Sequence, residues 1–129
     1  MTEAQLQSLF TAYIKKHKPE VTTNWELKIL KKGERFNFKK IESNQLQGLA
    51  DLQSEGVMWK HSDLDFRLKM CDCSFIKGQA YLGICWYEPR KPKVIHFLNI
   101  DTVLALIRSG QKSLTESEAC DKEEYNIIL

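Results

Sequence analysis

Hydrophobic and polar residues alternate over positions 24–31, which is the pattern of a β-strand. Side chains on a strand point to its two faces in turn, so Glu26 and Lys28 share one face. The apolar residues of the other face are Trp25, Leu27 and Ile29. An acid and an amine are costly to bury unless they are paired or bind something. Two interpretations follow: a cross-face ion pair on a half-exposed strand, or a site for a metal ion or a phosphate.

Hydrophobic residues at helical spacing precede this strand and predict a first helix from about Glu3 to Lys16. Thr2 and Gln5 form a capping-box signature at its start. Glu3 falls within the same arc as Leu6 and therefore points inward or to the edge of the core. The alternative is an exposed first-turn acid, which the helix dipole favours.

A second helix is predicted over residues 44–54, with Ser43 as its cap and Gly56 closing it. Its apolar stripe consists of Leu46, Leu49, Ala50 and Leu52. Gln45 projects onto this stripe, which is an unusual place for an amide. It either hydrogen-bonds a nearby backbone group or helps to line a site.

The rest of the chain reads mainly as strands, with two helices near the end. Strands are predicted over residues 35–41, 57–61, 71–76, 80–87 and 94–97. Residues 77–79 fit a hairpin turn between the third and fourth of these, and the apolar 81–86 segment predicts a central strand covered on both faces. Asp101 is expected to cap a third helix to Arg108, and Thr115 with Glu118 a short fourth one. Residues 123–129 read as a lightly held tail.

Composition changes this picture little. The chain has 129 residues, 43% of them hydrophobic and 28% charged, which predicts one soluble domain over 1–129 with its core at about 3–107 and a C-terminal helix and tail at 110–129. No apolar run approaches the roughly 18 residues of a membrane helix. The first residues lack the features of a signal peptide, so a cytoplasmic protein without a membrane partner is expected.

Charge and cysteine placement add two weaker indications. Residues 1–40 hold nine Lys and Arg against four acids, which could face phosphates or could be a solvated surface. The four cysteines are Cys71, Cys73, Cys85 and Cys120. With His96 the first three could be imagined as zinc ligands, but their spacing matches no usual zinc pattern. Small buried thiols are the favoured interpretation.

The order helix, strand with Glu-x-Lys, helix with an inward Gln, then further strands resembles the PD-(D/E)xK nuclease superfamily. That is the restriction-endonuclease-like fold, which includes Holliday-junction resolvases. Glu26-Leu27-Lys28 would be its (D/E)xK element, and Gln45 lies on the next helix, where many resolvase-like members carry Gln. The segment 35–38 (Arg-Phe-Asn-Phe) and the 81–86 strand also look like small members of the group. The resemblance covers roughly residues 3–107.

The resemblance implies an α/β fold with a central mixed sheet flanked by helices, and metal-dependent hydrolysis of DNA. Glu26 would bind Mg²⁺ or Mn²⁺ together with the backbone carbonyl of Leu27, and Lys28 would hold the attacking water or stabilise the developing charge. Gln45 would line the site, and Glu3, if it reaches the site, would bind a second metal or its water. DNA is the implied partner, and relatives that cut two strands are usually homodimers.

The sequence departs from the family pattern in one place. The family supplies an Asp on the strand before (D/E)xK, whereas residues 17–25 contain Glu20 as their only acid. Asp72, on a predicted apolar strand, is the expected substitute, as if the motif order were permuted. It would share a cation with Glu26 if its strand pairs near residue 26. Asp63 and Asp65 are weaker candidates that also read as turn residues, and Lys60 is another phosphate contact or a solvated strand lysine.

Two rivals to an active nuclease stay open. One is a non-catalytic module on the same fold that binds nucleic acid or protein. The other is an accessory protein that binds a partner through exposed aromatic residues such as Trp59 and Tyr87.

Overall fold

The computed structural model of the protein describes residues 1–17, 23–60 and 73–129. The helices are α1 (Glu3–His17), α2 (Ser43–Ser54), α3 (Ile100–Arg108) and α4 (Glu116–Lys122). The strands are β1 (Thr23–Lys31), β2 (Phe36–Asn37), β3 (Val57–Lys60), β4 (Cys73–Ile76), β5 (Gln79–Tyr87), β6 (Val94–Asn99), β7 (Ser113–Leu114) and β8 (Tyr125–Ile128). No helix in these ranges is long and apolar enough to cross a membrane.

A mixed sheet of four strands forms the centre of the molecule, in the order β1-β5-β6-β8. β1 runs parallel to β5, while β6 is antiparallel to both β5 and β8. The predicted α/β architecture with a central mixed sheet is thereby confirmed. A parallel pair needs a crossover connection, and α2 lies in the stretch of chain that joins β1 to β5.

Helices cover the two faces of the sheet and build two core layers. α1 packs on the face that carries Leu27, where Leu6 and Phe10 are buried. α2 and α3 pack on the opposite face, around Leu82 and Ile84. Residues 80–86 of β5 are buried throughout, as the apolar run predicted for a central strand. The two faces therefore differ in the helices that reach them.

The prediction of one strand over residues 35–41 is wrong. β2 has two residues and pairs with β7, and a 3₁₀-helix follows it over Phe38–Lys40. The side chain of Asn37 accepts a 2.9 Å hydrogen bond from the backbone N–H of Lys39, which caps that turn. Alternating Phe residues are therefore compatible with a tight turn when a capping side chain satisfies its first N–H groups.

Two predicted helix caps are displaced. α2 begins at Ser43 itself, with Glu42 as the cap residue, because the side chain of Gln45 reaches back to the Glu42 N–H at 3.3 Å. α3 is capped by Asn99 in place of Asp101, and the Asn99 side chain accepts from the Asp101 N–H at 3.0 Å. The predicted Thr115–Glu118 capping box of α4 is confirmed.

Two long-range pairings also differ from the prediction. Residues 77–79 do not join β4 and β5 in a hairpin, because β4 pairs with β3 while β5 lies between β1 and β6. Gly78 instead donates its N–H to the carbonyl of Leu52 at the end of α2. The predicted loose tail is also wrong, since β8 pairs with β6 and closes one side of the sheet.

Candidate functional site

Three polar side chains meet on the face of the sheet that α2 covers: Glu26, Lys28 and Gln45. The Gln45 Nε2 donates to Glu26 Oε1 at 3.1 Å. Lys28 Nζ lies 3.5 Å from the same Glu26 oxygen and 3.5 Å from Gln45 Oε1. The three side chains thus form a closed triangle of contacts, which we call the Glu-Lys-Gln cluster.

The sheet and the helix each fix one side of this cluster. Register with β5 places Glu26 beside Leu82 and Lys28 beside Ile84, two fully buried residues of the α2 face. Gln45 comes from the first turn of α2, where it also accepts the Glu42 N–H. The capping bond and the cluster therefore hold the same amide, and the predicted hydrogen bond of Gln45 to a nearby backbone group is present.

The cluster is half-buried, with 27% of the Glu26 side chain and 13% of the Lys28 side chain exposed. Glu26 Oε1 receives both contacts, and Oε2 has no hydrogen-bond donor among the described residues. Within the described ranges, one carboxylate oxygen is thus held by two contacts and the other by none. An open, anionic oxygen is the donor type that Mg²⁺ and Mn²⁺ take.

The carbonyl of Leu27 lies at the outer edge of β1. Lys32 donates its N–H to Tyr87 at the end of the β1–β5 ladder, while Lys31 directs both its N–H and its C=O away, to Glu34. Backbone groups on a strand alternate in this way, so the odd-numbered Leu27 directs its carbonyl away from β5. β1 is one of the two edge strands of the sheet within the described ranges. The Leu27 oxygen is therefore not used by that ladder.

Glu3 is not brought to the cluster. It is an exposed residue in the first turn of α1, and α1 packs on the Leu27 face of the sheet. The sheet separates that face from Glu26 and Lys28. The structure thus matches the alternative reading of Glu3 as an exposed first-turn acid.

Asp72 lies outside the described residues, as do Glu20, Asp63, Asp65 and Cys71. Its predicted strand is described from Cys73 onward, and that part pairs with β3 and not with β1. Within ranges 1–17, 23–60 and 73–129, no three His, Cys, Asp or Glu side chains are grouped so that they could hold a metal ion. The described residues thus supply one carboxylate, Glu26, at the cluster.

A second polar cluster, which the sequence pattern did not indicate, surrounds His96. This residue of β6 is 5% exposed, and its Nδ1 lies 2.5 Å from Glu123 Oε2. Its Nε2 lies 3.9 Å from Glu116 Oε1. The acids are 20 and 27 residues away along the chain, in α4 and next to β8, so no local spacing signals the contact.

The His96 cluster does not have the geometry of a cysteine nucleophile with its base. Cys120 Sγ lies 3.8 Å from Nδ1, the nitrogen that Glu123 already occupies. A base needs one nitrogen for the thiol and the other for its orienting acid. Desolvation, and then the Glu123 and Glu116 carboxylates, raise the pKa of the Cys120 thiol. The cluster therefore ties α4 and β8 to the sheet.

Cys85 is a core residue of β5, fully buried against α1. Its burial raises the pKa of the thiol, which keeps it protonated and unreactive. This agrees with the interpretation of the cysteines as small buried thiols, at this one position.

In comparisons with known proteins, no family model matches the chain, and no curated protein or solved structure is significantly similar to it.

Proposed function

We propose that this chain is a metal-dependent DNA phosphodiesterase of the PD-(D/E)xK type, with a restriction-endonuclease-like fold and a cytoplasmic location. The observation that carries the proposal is the state of Glu26. One of its oxygens is held by Lys28 and Gln45, while no donor of the described residues reaches the other. An anionic oxygen that is held by no protein donor and reached by solvent is the type of ligand that a divalent cation takes.

The chemistry assigns a task to each member of the Glu-Lys-Gln cluster. Glu26 Oε2 and the Leu27 carbonyl would be the protein oxygens on a divalent cation. When bound, that cation makes a water a better nucleophile and neutralises charge on the scissile phosphate. Lys28, whose Nζ lies beside Glu26, would hold the water or stabilise the negative charge that develops. Gln45 would keep the carboxylate in its orientation.

The donor set fits Mg²⁺ or Mn²⁺ in type. Mg²⁺ is commonly bound through one or two carboxylates and keeps several waters, and Glu26 supplies one carboxylate. The second would come from outside the described residues, with Asp72 as the proposed donor. A homodimer belongs to the same proposal, since an enzyme that cuts both strands of a duplex or junction needs two such sites.

The second candidate is a non-catalytic module that binds nucleic acid or protein through the same fold. The observation in its favour is that the described residues provide a single carboxylate at the cluster. Such a module would keep a DNA affinity that falls with salt and would leave the DNA intact.

Incubation with plasmid, linear and branched DNA in Mg²⁺ or Mn²⁺ separates the two candidates. Glu26→Gln and Lys28→Met should each lower cleavage by at least about 100-fold, as expected for loss of an electrostatic catalytic group. Glu55→Gln, which alters an exposed acid at the opposite end of α2 from Gln45, is the matched control and should cleave normally. Cleavage that survives both cluster variants would rule out the nuclease proposal at this site.

A further inference from the structure

A cavity of about 510 Å³ opens where the parallel strands β1 and β5 end. Lys31 and Tyr87 are register partners at the last position of this pair, and both line the cavity. Ligands of α/β sheets bind outside the carboxyl ends of parallel strands, and small-molecule pockets have volumes of this size. We call this cavity the strand-end pocket.

The charges of the strand-end pocket do not cancel. Lys31, Lys32 and Lys40 line it together with Glu34 and Glu88. Lys32 lies 3.9 Å from Glu88 and 3.6 Å from Glu116, so it is already shared between two acids. Lys31 and Lys40 are exposed and have no ion-pair partner in the described ranges. Two ammonium groups are thus unpaired among the described residues and can meet an anion.

Glu34, an acid that lines the same pocket, is already engaged in the turn after β1. Glu34 Oε2 accepts the backbone N–H of Lys31 at 3.4 Å. The Glu34 carbonyl accepts the indole N–H of Trp86 at 2.7 Å, which anchors the turn to the core. The pocket wall is therefore preorganised, and its acid is oriented by the backbone.

The remaining walls suit a flat, partly apolar group. Tyr87 is half-buried, and its hydroxyl has no hydrogen-bond partner within the part of the chain that the structure describes. Ile29 and Leu30 add apolar surface beside it. An aromatic wall next to two free cations is the combination that single-stranded nucleic acids use, with stacking for the base and charge for the phosphate.

We propose that the strand-end pocket binds a nucleotide unit of a single-stranded nucleic acid, with its phosphate at Lys31 and Lys40 and its base against Tyr87. The site is separate from the Glu-Lys-Gln cluster, whose side chains do not line it. It deepens the proposed function, because it names where a displaced strand would lie. Leu30 lines the pocket and follows Lys28 by two positions on the same strand face, so the two sites are adjacent.

Binding is measured on the full chain in EDTA, so that cleavage does not enter. The probe is a fluorescein-labelled single-stranded DNA of about 12 nucleotides, within the usual range of strand-binding sites. Lys31→Gln/Lys40→Gln should weaken binding by about five-fold or more. It should also lower the salt slope by about 0.7, the contribution of one phosphate neutralised on a single strand.

The matched control is Lys77→Gln/Lys122→Gln, which removes two equally exposed lysines outside the pocket and should bind like the unaltered chain. Tyr87→Leu should weaken binding by about five-fold or more through lost stacking, and Tyr87→Phe should not. Equal loss of affinity in both lysine pairs would overturn the inference, because it would indicate diffuse attraction. The inference would also be overturned if Tyr87→Leu bound the oligonucleotide as tightly as the unaltered chain does.

Two further arms distinguish the source of the ligand and the fate of the proposed function. Free thymidine 5′-monophosphate that competes as well as the oligonucleotide at equal nucleotide concentration would overturn the assignment to a strand. Binding that depends on Lys31 and Lys40 without any metal-dependent cleavage would support this inference and reject the nuclease. Metal-dependent cleavage by a protein whose affinity is the same in the pocket variants would support the nuclease and reject this inference.

Discussion

The amide of Gln45 donates to Glu26 Oε1 across 3.1 Å, from the first turn of α2 to the middle of β1. The same side chain accepts from the Glu42 N–H, so one residue both starts a helix and orients an acid on the sheet. Any displacement of α2 would therefore be transmitted to Glu26. This contact makes the helix start part of the candidate site.

Gln45→Glu separates these two tasks. A Glu still accepts the Glu42 N–H, as capping boxes usually do, but it cannot donate to Glu26 and places a second anion beside it. We expect a loss of about 1–3 kcal/mol in the free energy of unfolding, measured with urea. Gln47→Glu is the matched control, because Gln47 donates in the same way to Asp51 on the exposed face of α2. The control should cost no more than about 0.5 kcal/mol. Equal losses of stability in Gln45→Glu and Gln47→Glu would mean that the contact with Glu26 stabilises the protein no more than the exposed contact does.

Removal of the charge of Glu26 should expose the cost of burying Lys28. In Glu26→Gln the ammonium of Lys28, whose side chain is 13% exposed, keeps an amide neighbour but loses its counter-ion. We expect destabilisation by about 1–2 kcal/mol, and partial recovery in Glu26→Gln/Lys28→Met, where no charge is left buried. Lys32 and Glu88 form an ion pair whose side chains are 57% and 43% exposed, so Glu88→Gln should lower the free energy of unfolding by less than about 0.5 kcal/mol. A double variant that is less stable than Glu26→Gln would contradict this account.

Glu123 should contribute more to the stability of the protein than a residue of a loosely held tail would. Glu123→Ala leaves His96 Nδ1 buried and without its carboxylate, a kind of loss that costs about 1–3 kcal/mol. The loss should appear as a lower melting temperature and as faster amide exchange in β8, whose strand partner among the described residues is β6. Asp121→Ala, at an exposed acid of α4, should leave both measurements close to those of the unaltered chain.

Acid should weaken the start of α4. The hydroxyl and N–H of Thr115, and then the Arg35 guanidinium, hold the pKa of Glu118 below its usual value. A carboxyl whose pKa is lower in the folded state contributes stability above its unfolded value of about 4.3, and loses it as the pH falls through the folded value. The stability difference between the unaltered chain and Glu118→Gln, from urea midpoints between neutral and acid pH, should therefore shrink with acid. In a Thr115→Val background the difference should be smaller at every pH.

Gly83 should tolerate no side chain. A Cβ there would lie 2.7 Å from a ring carbon of Phe97 and 2.8 Å from a methyl carbon of Leu27, inside a close-packed layer. We expect Gly83→Ala to destabilise the protein by about 1–3 kcal/mol. Gly48→Ala is the control, since α2 leaves open space around that position. It should stabilise the helix by roughly 0.5–1 kcal/mol, and opposite signs in thermal melts would confirm the packing at Gly83.

Local periodicity predicted most single elements of this fold, because a helix face and a strand face repeat within a few residues. The first helix, β1, β5 and the Thr115–Glu118 cap follow from spacing alone. So does the shared face of Glu26 and Lys28, since side chains alternate along any strand. The inward amide of Gln45 was likewise visible as a polar residue on an apolar stripe.

Tertiary structure decided which elements meet. The parallel pairing of β1 with β5 joins residues more than 50 positions apart, and no local pattern encodes a partner at that distance. The pairing of β8 with β6, and the contact of His96 with Glu123 beside it, likewise join residues that are far apart along the chain. The strand-end pocket likewise exists only because Lys31 and Tyr87 finish their strands side by side. Sequence periodicity determined the face that carries the acid and the lysine. Only the packed sheet and α2 decided that Gln45 joins them and that both contacts within the described residues fall on one oxygen of Glu26.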